Sequence, residues 1–248
     1  MRGRIVAVLV PLAALVAACG GGTSGSAPTQ AEATAGSASA TSPEKAGDLQ
    51  TIKVGYGLSK SAPVAGLPQY AWAVAVVRNR TDSIAGINVS FSAYDAVGKV
   101  LGQSDTSAPI VRANATVAAG TQLEVPQGKK IAKVTATANI LDNLSQKDTS
   151  PSSRFVASGV RYQPDEYTDG KVVGEVVSQY RDTVNQVYVG AVCYDTGGKI
   201  IGGGEHYVEQ IGPGQRVGFE TDTLTVSARP ARCEVYPTLS GASTTPGS

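Results

Sequence analysis

Cys193 and Cys233 are the side chains best suited to covalent chemistry in the body of this 248-residue chain. They stand 233 − 193 = 40 residues apart. By the alternation of their segments, each points to the inward face of a strand. A Cys193–Cys233 disulfide is therefore expected, with two free core thiols as the alternative. Closing such a loop would stabilise the fold by roughly 3–4 kcal/mol. His206 is the only histidine, and no Gly-x-Ser-x-Gly elbow or His-Glu-x-x-His pattern accompanies it. Glu205-His206 reads as a solvated strand edge. Gly202-Gly203-Gly204 follows a hairpin and leads into neither a helix nor a Lys-Ser/Thr pair. It reads as a bulge or close strand crossing, not a phosphate loop. Asp165, Glu166 and Asp169 share a loop with Tyr167, in a spacing that matches no calcium loop. Trp72, the only tryptophan, is expected to pack in a core or at an edge. The expectation is no catalytic residue, no metal and no cofactor.

The elements that position these residues are announced by a repeat. Tyr94-Asp95-Ala96-Val97-Gly98-Lys99-Val100-Leu101-Gly102 returns as Tyr194-Asp195-Thr196-Gly197-Gly198-Lys199-Ile200-Ile201-Gly202, an offset of 194 − 94 = 100. The match extends back to Val76/Val176. Downstream, Ala119-Gly120-Thr121-Gln122 resembles Pro213-Gly214-Gln215 at an offset near 94. Each copy reads as strand, tight turn, strand. Asp95 and Asp195 can accept backbone N–H bonds, while Gly98 and Gly198 can adopt the positive φ of a hairpin bulge. Ahead of the first turn, Ile87, Val89, Phe91 and Ala93 alternate with Asn88, Ser90, Ser92 and Tyr94. In the second copy Val187, Val189, Ala191 and Cys193 take the inward positions. This period of two, with no long helical period anywhere, predicts an all-β chain.

Phe91-Ser92-Ala93-Tyr94-Asp95, followed by Gly98-Lys99, resembles the FxLYD domain family, with Ala93 where that family prefers Leu. The resemblance implies two tandem immunoglobulin-like β-sandwich domains of the kind found in extracytoplasmic bacterial lipoproteins. It carries no catalytic residue over to this chain.

Residues 1–18 read as a secretion signal: Arg2 and Arg4 precede an apolar run that is too short to span a bilayer. The run ends Leu15-Val16-Ala17-Ala18-Cys19, which is similar to a bacterial lipobox, so Cys19 is expected to be the lipidated first residue. Residues 19–48 lack aromatic side chains and are dominated by small ones. They read as a disordered tether with an end-to-end distance of roughly 30 Å and a taut reach near 100 Å. The first sandwich is expected over 49–141, a linker over 142–153, the second sandwich over 154–239 and a frayed tail over 240–248.

Loss of Arg2 and Arg4 with the signal leaves 21 − 2 = 19 basic against 20 acidic residues. That balance offers no electrostatic footprint for nucleic acid or anionic lipid. Contact with the membrane is expected through the lipid alone, on the extracytoplasmic face. The functional expectation is a non-catalytic binding or accessory module of the cell envelope, with a protein partner there. The alternative is a small-ligand receptor or enzyme with a site between the two domains.

Overall fold

The computed structural model describes residues 48–59, 66–148, 154–165 and 169–243. The chain separates into two compact units, Met1–Ser42 and Pro43–Ser248. The signal, Cys19 and nearly all of the tether lie outside the described residues, as do Glu166, Tyr167 and the tail from residue 244. Every regular element among the described residues is a strand. No helix there is long and apolar enough to cross a membrane.

Six strands form the first half: β1 (Leu49–Leu58), β2 (Gln69–Asn79), β3 (Ser83–Tyr94), β4 (Val100–Val111), β5 (Thr116–Val125) and β6 (Lys133–Lys147). Seven form the second: β7 (Phe155–Gln163), β8 (Lys171–Ser178), β9 (Val184–Tyr194), β10 (Ile200–Ile211), β11 (Arg216–Glu220), β12 (Thr223–Val226) and β13 (Arg232–Leu239). Strand β6 thus runs into the stretch expected to be linker. All pairings are antiparallel, in the orders β1-β2-β5, β11-β8-β7 and β12-β10-β9-β13-β4-β3-β6. The first half's pairing recurs in the second, with β12 added. The long, curled sheet crosses between the halves at one pair, Leu239 opposite Ile110. There the Thr238 hydroxyl also donates to the Ile110 carbonyl at 2.6 Å.

Alternation explains each half's own core. Ile87, Val89, Phe91 and Ala93 of β3 are buried against Ala71, Ala73, Ala75 and Val77 of β2, with Leu123 and Val125 of β5. Burying side chains such as Ile87 and Phe91 stabilises by roughly 1.5–3 kcal/mol each. In the second half Val187, Val189, Ala191 and Cys193 of β9 meet Val172 and Val176 of β8 and Phe219 of β11. Cys193 and Cys233 stand opposite each other on β9 and β13 and are joined as a disulfide, Cα atoms 4.1 Å apart.

The repeat is not a rigid shift of 100. Asn79 N donates to Ala115 O and Arg80 N to Asp48 O, just as Ser178 N donates to Gln215 O and Gln179 N to Arg154 O. Asn79 therefore corresponds to Ser178, an offset of 178 − 79 = 99, and the extra residue falls in the turn before β9. A one-residue slip reverses faces. Val76 consequently turns away from its half's core while Val176 points into its own. The downstream match also moves. Ala119–Gln122 lies inside β5, and the counterpart of the Gly212–Gln215 turn is Arg112–Ala115. In both turns the last N–H bonds back to the first carbonyl at 3.1 Å, and the third residue has positive φ, 58° at Asn114 and 66° at Gly214.

Between the halves lies a third core. Trp72, Val74 and Val76 of β2 and Ala118 of β5 pack against Val192 and Tyr194 of β9 and Ile200 of β10. This explains why the outer face of β9 (Tyr188, Gly190, Val192) is apolar where that of β3 (Asn88, Ser90, Ser92) is polar. A Cβ on Gly190 would sit 2.4 Å from Ala118 O, so the approach of β9 to β5 requires glycine. A buried ion pair adds a second joint, in which Arg112 Nε donates to Asp148 Oδ2 at 2.8 Å and Nη2 to Oδ1. Its Nη1 reaches Tyr180 Oη of the second half at 3.1 Å.

Candidate functional site

A cleft of about 470 Å³ opens where β2 and β5 of the first half face β10 and β12 of the second. Its walls are Trp72, Ala73 and Val74 on β2, Thr106 on β4, Gly120, Thr121 and Gln122 on β5, Gly203, Gly204 and Glu205 on β10, and Thr225 on β12. The floor is shaped by absent side chains. A Cβ on Gly203 would stand 2.6 Å from Val74 Cγ2, and one on Gly120 would stand 3.0 Å from the same atom. The glycine run 202–204 thus serves close strand approach, beside a register shift between Ile200 and Gly202.

Trp72 is 3% exposed, and its indole N–H has no hydrogen-bond partner among the described residues. A buried donor left unmet costs about 1–3 kcal/mol. The indole edge lies under Gly57 of β1, where a Cβ would come within 2.8 Å of Nε1. Trp72 therefore packs as expected of a lone tryptophan, but in the joint between halves instead of inside one of them.

Among the described residues Glu205 is the only charged one lining the cleft. Among the described residues it makes no ion pair. Burial raises its carboxyl above the ordinary value; the neighbouring Tyr188 hydroxyl opposes the rise and Asp222 adds to it. Tyr188 has a single proton and donates it to Ala118 O at 2.9 Å. Burial also pushes that phenol's pKa well up, so it stays a donor. Glu205 is accordingly left without a full counter-charge.

His206 lies on the opposite face of β10 and meets the Asp222 carboxylate at 2.8 Å from Nδ1. The acidic loop is tied to structure at Asp169, whose Oδ2 accepts from Val226 N at 3.2 Å and whose carbonyl accepts from Tyr162 Oη at 2.9 Å. Among the described residues no three His, Cys, Asp or Glu side chains are grouped to hold a metal. The two turns are near copies. Asp95 Oδ1 accepts from Val97 N at 3.0 Å and Lys99 N at 2.9 Å, and Asp195 Oδ1 from Gly197 N and Lys199 N, both at 2.9 Å. Gly98 and Gly198 take φ of 84° and 77°. Tyr94 stays half-exposed, whereas Tyr194 is buried beneath Arg232, 4.2 Å from its ring centroid. The cleft holds neither the Cys193–Cys233 pair nor the Tyr-Asp-Gly turn residues, but it gathers Trp72, Gly203, Gly204 and Glu205. Glu205 is thus half-buried in a cleft wall and not on the solvated strand edge expected for it. The cleft's signal was the unequal outer faces of the two copies.

No protein-family model matches the chain, and no curated protein does. Among solved structures, a β-glucuronidase from glycoside hydrolase family 2 is 10% identical, at a TM-score of 0.20 over 73% of this chain and 27% of that one. The transglutaminase of red sea bream is 8% identical, at 0.19 over 76% and 29%. The chain thus spans under a third of either protein, and likeness at this level carries no argument about fold or function.

Proposed function

We propose that this chain is a non-catalytic binding module of the bacterial cell envelope, lipid-anchored through Cys19 on the extracytoplasmic face. Its body is two tandem immunoglobulin-like sandwiches of the FxLYD kind. The observation that carries the binding reading is the cleft between the halves, with Trp72 and Glu205 in its walls. A purely structural joint gains nothing from a half-buried, unpaired carboxylate. Export is supported by the leader, by the small residues before Cys19 and by the Cys193–Cys233 bridge, a bond that persists in oxidising compartments. The cleft favours the small-ligand receptor form of this function; a protein partner in the envelope remains part of the proposal.

Two measurements test it. Metabolic labelling with an alkyne fatty acid should mark the wild type and spare Cys19→Ala; equal labelling removes the anchor. Crosslinking in native envelope should then recover a partner over a lipid-anchored control. No enrichment would remove the protein partner and leave small ligands as the remaining form.

A further inference from the structure

We propose that the cleft takes a small organic cation, an amine or quaternary ammonium, with its charge against Glu205 and its hydrocarbon against Trp72 and Val74. The proposal rests on the cleft being the binding site. Among the described residues no Lys, Arg or His lines the cleft, so its one charged group would repel an anion and attract a cation. Glu205 lacks an ion-pair partner among the described residues, and a bound cation would supply the missing charge. Val74 provides apolar wall for a short alkyl chain, and Gly203 and Gly204 leave it room by having no side chains. A volume of about 470 Å³ is ample for a molecule of that size together with water.

The repeat contains its own control. Asp105 of β4 corresponds to Glu205 of β10 (205 − 105 = 100), opposite Ser90 as Glu205 is opposite Gly190. Yet Asp105 is exposed and lines no wall of the cleft. An acid at this strand position is common to both halves. Only the copy facing the other half is enclosed, because Gly190 lets β5 approach.

The chain's single tryptophan makes the test direct. Trp72 emission and calorimetry would follow titration with choline chloride and with putrescine. Dimethylbutanol, the neutral carbon isostere of choline, would be compared, together with maltose, succinate and sodium chloride. A saturable response to choline or putrescine, at least about tenfold weaker for dimethylbutanol, is expected. Glu205→Gln should weaken the cation at least about tenfold, and Asp105→Asn should leave it unchanged. Unfolding curves confirm that both variants fold. Equal binding of choline and dimethylbutanol, or unaltered cation binding by Glu205→Gln, overturns the proposal. A response to maltose or succinate alone defeats the cation while sparing the cleft as a binding site. If none of these probes nor a small-molecule envelope extract moves the signal, both readings fall.

Discussion

The Tyr188 hydroxyl donates to the carbonyl of Ala118 at 2.9 Å, across 70 residues of sequence and from one half of the repeat to the other. Ala118 O is also the atom that a Cβ on Gly190 would strike at 2.4 Å. One carbonyl thus receives a hydrogen bond and leaves no space for a side chain, and both features locate β9 against β5.

Tyr188→Phe should lower stability by about 1–2 kcal/mol, because a buried carbonyl loses its donor. The unfolding midpoint in urea would show it. An unchanged midpoint would mean that water satisfies Ala118 O as well as the phenol does.

Gly190→Ala should be worse, since the clash is with backbone that cannot swing aside. Its counterpart Ser90→Ala lies on the uncovered face of β3 and should change stability by no more than about 0.5 kcal/mol. Small-angle scattering should show the two halves displaced in Gly190→Ala alone. Similar behaviour of the two variants would contradict the packing of the third core.

Replacing both Cys193 and Cys233 by alanine should cost about 4 kcal/mol, the chain-entropy estimate for a loop of 40 residues. Thiol counts in denaturant should rise by two per chain on reduction. A constant count would mean that the native protein carries free thiols.

Asp148→Ala would leave the Arg112 guanidinium buried without its carboxylate. Loss of one member of a buried pair costs about 3–5 kcal/mol. Because Arg112 also reaches Tyr180, the double change with Tyr180→Phe should be less than additive. Strict additivity would show that the tyrosine is a bystander.

Glu205 should make the free protein less stable as pH rises. Its carboxyl is faced by Tyr188, Tyr207 and Asp222, and folding raises its pKa above the ordinary 4.5, chiefly by burial. The folded chain then holds this proton where the unfolded chain has released it. Stability is fully present below about 4.5 and declines as pH climbs from there through the raised folded value. Glu205→Gln should flatten the profile in that window and stabilise the free protein at neutral pH. Parallel urea midpoints for wild type and variant would remove this account.

Much of the architecture was legible beforehand. Period-two alternation in 87–94 places Phe91 inward and Ser92 outward because backbone pleating leaves no other choice. Asp95 and Gly98 bring the turn with them, one by accepting two N–H groups and the other by tolerating positive φ. The facing of Cys193 and Cys233 follows from the same alternation. The contrast of Asn88, Ser90 and Ser92 with Tyr188, Gly190 and Val192 is also present in the sequence, but its meaning, a covered outer face on β9, came only with the structure.

What covers it was beyond local pattern. The extra residue in the turn before β9 reverses the faces of β8 relative to β2, and a one-residue slip leaves no mark on an apolar run such as Val172-Val173. Trp72 and Glu205 are 133 residues apart (205 − 72 = 133) and share no spacing rule. Their placement in one cleft depends on how two twisted sheets seat on each other through glycines whose purpose appears only when the opposing backbone is in place. Local sequence therefore determined strands, turns and the disulfide, which short-range geometry decides. The cleft belongs to tertiary structure, because it is the space left between two surfaces.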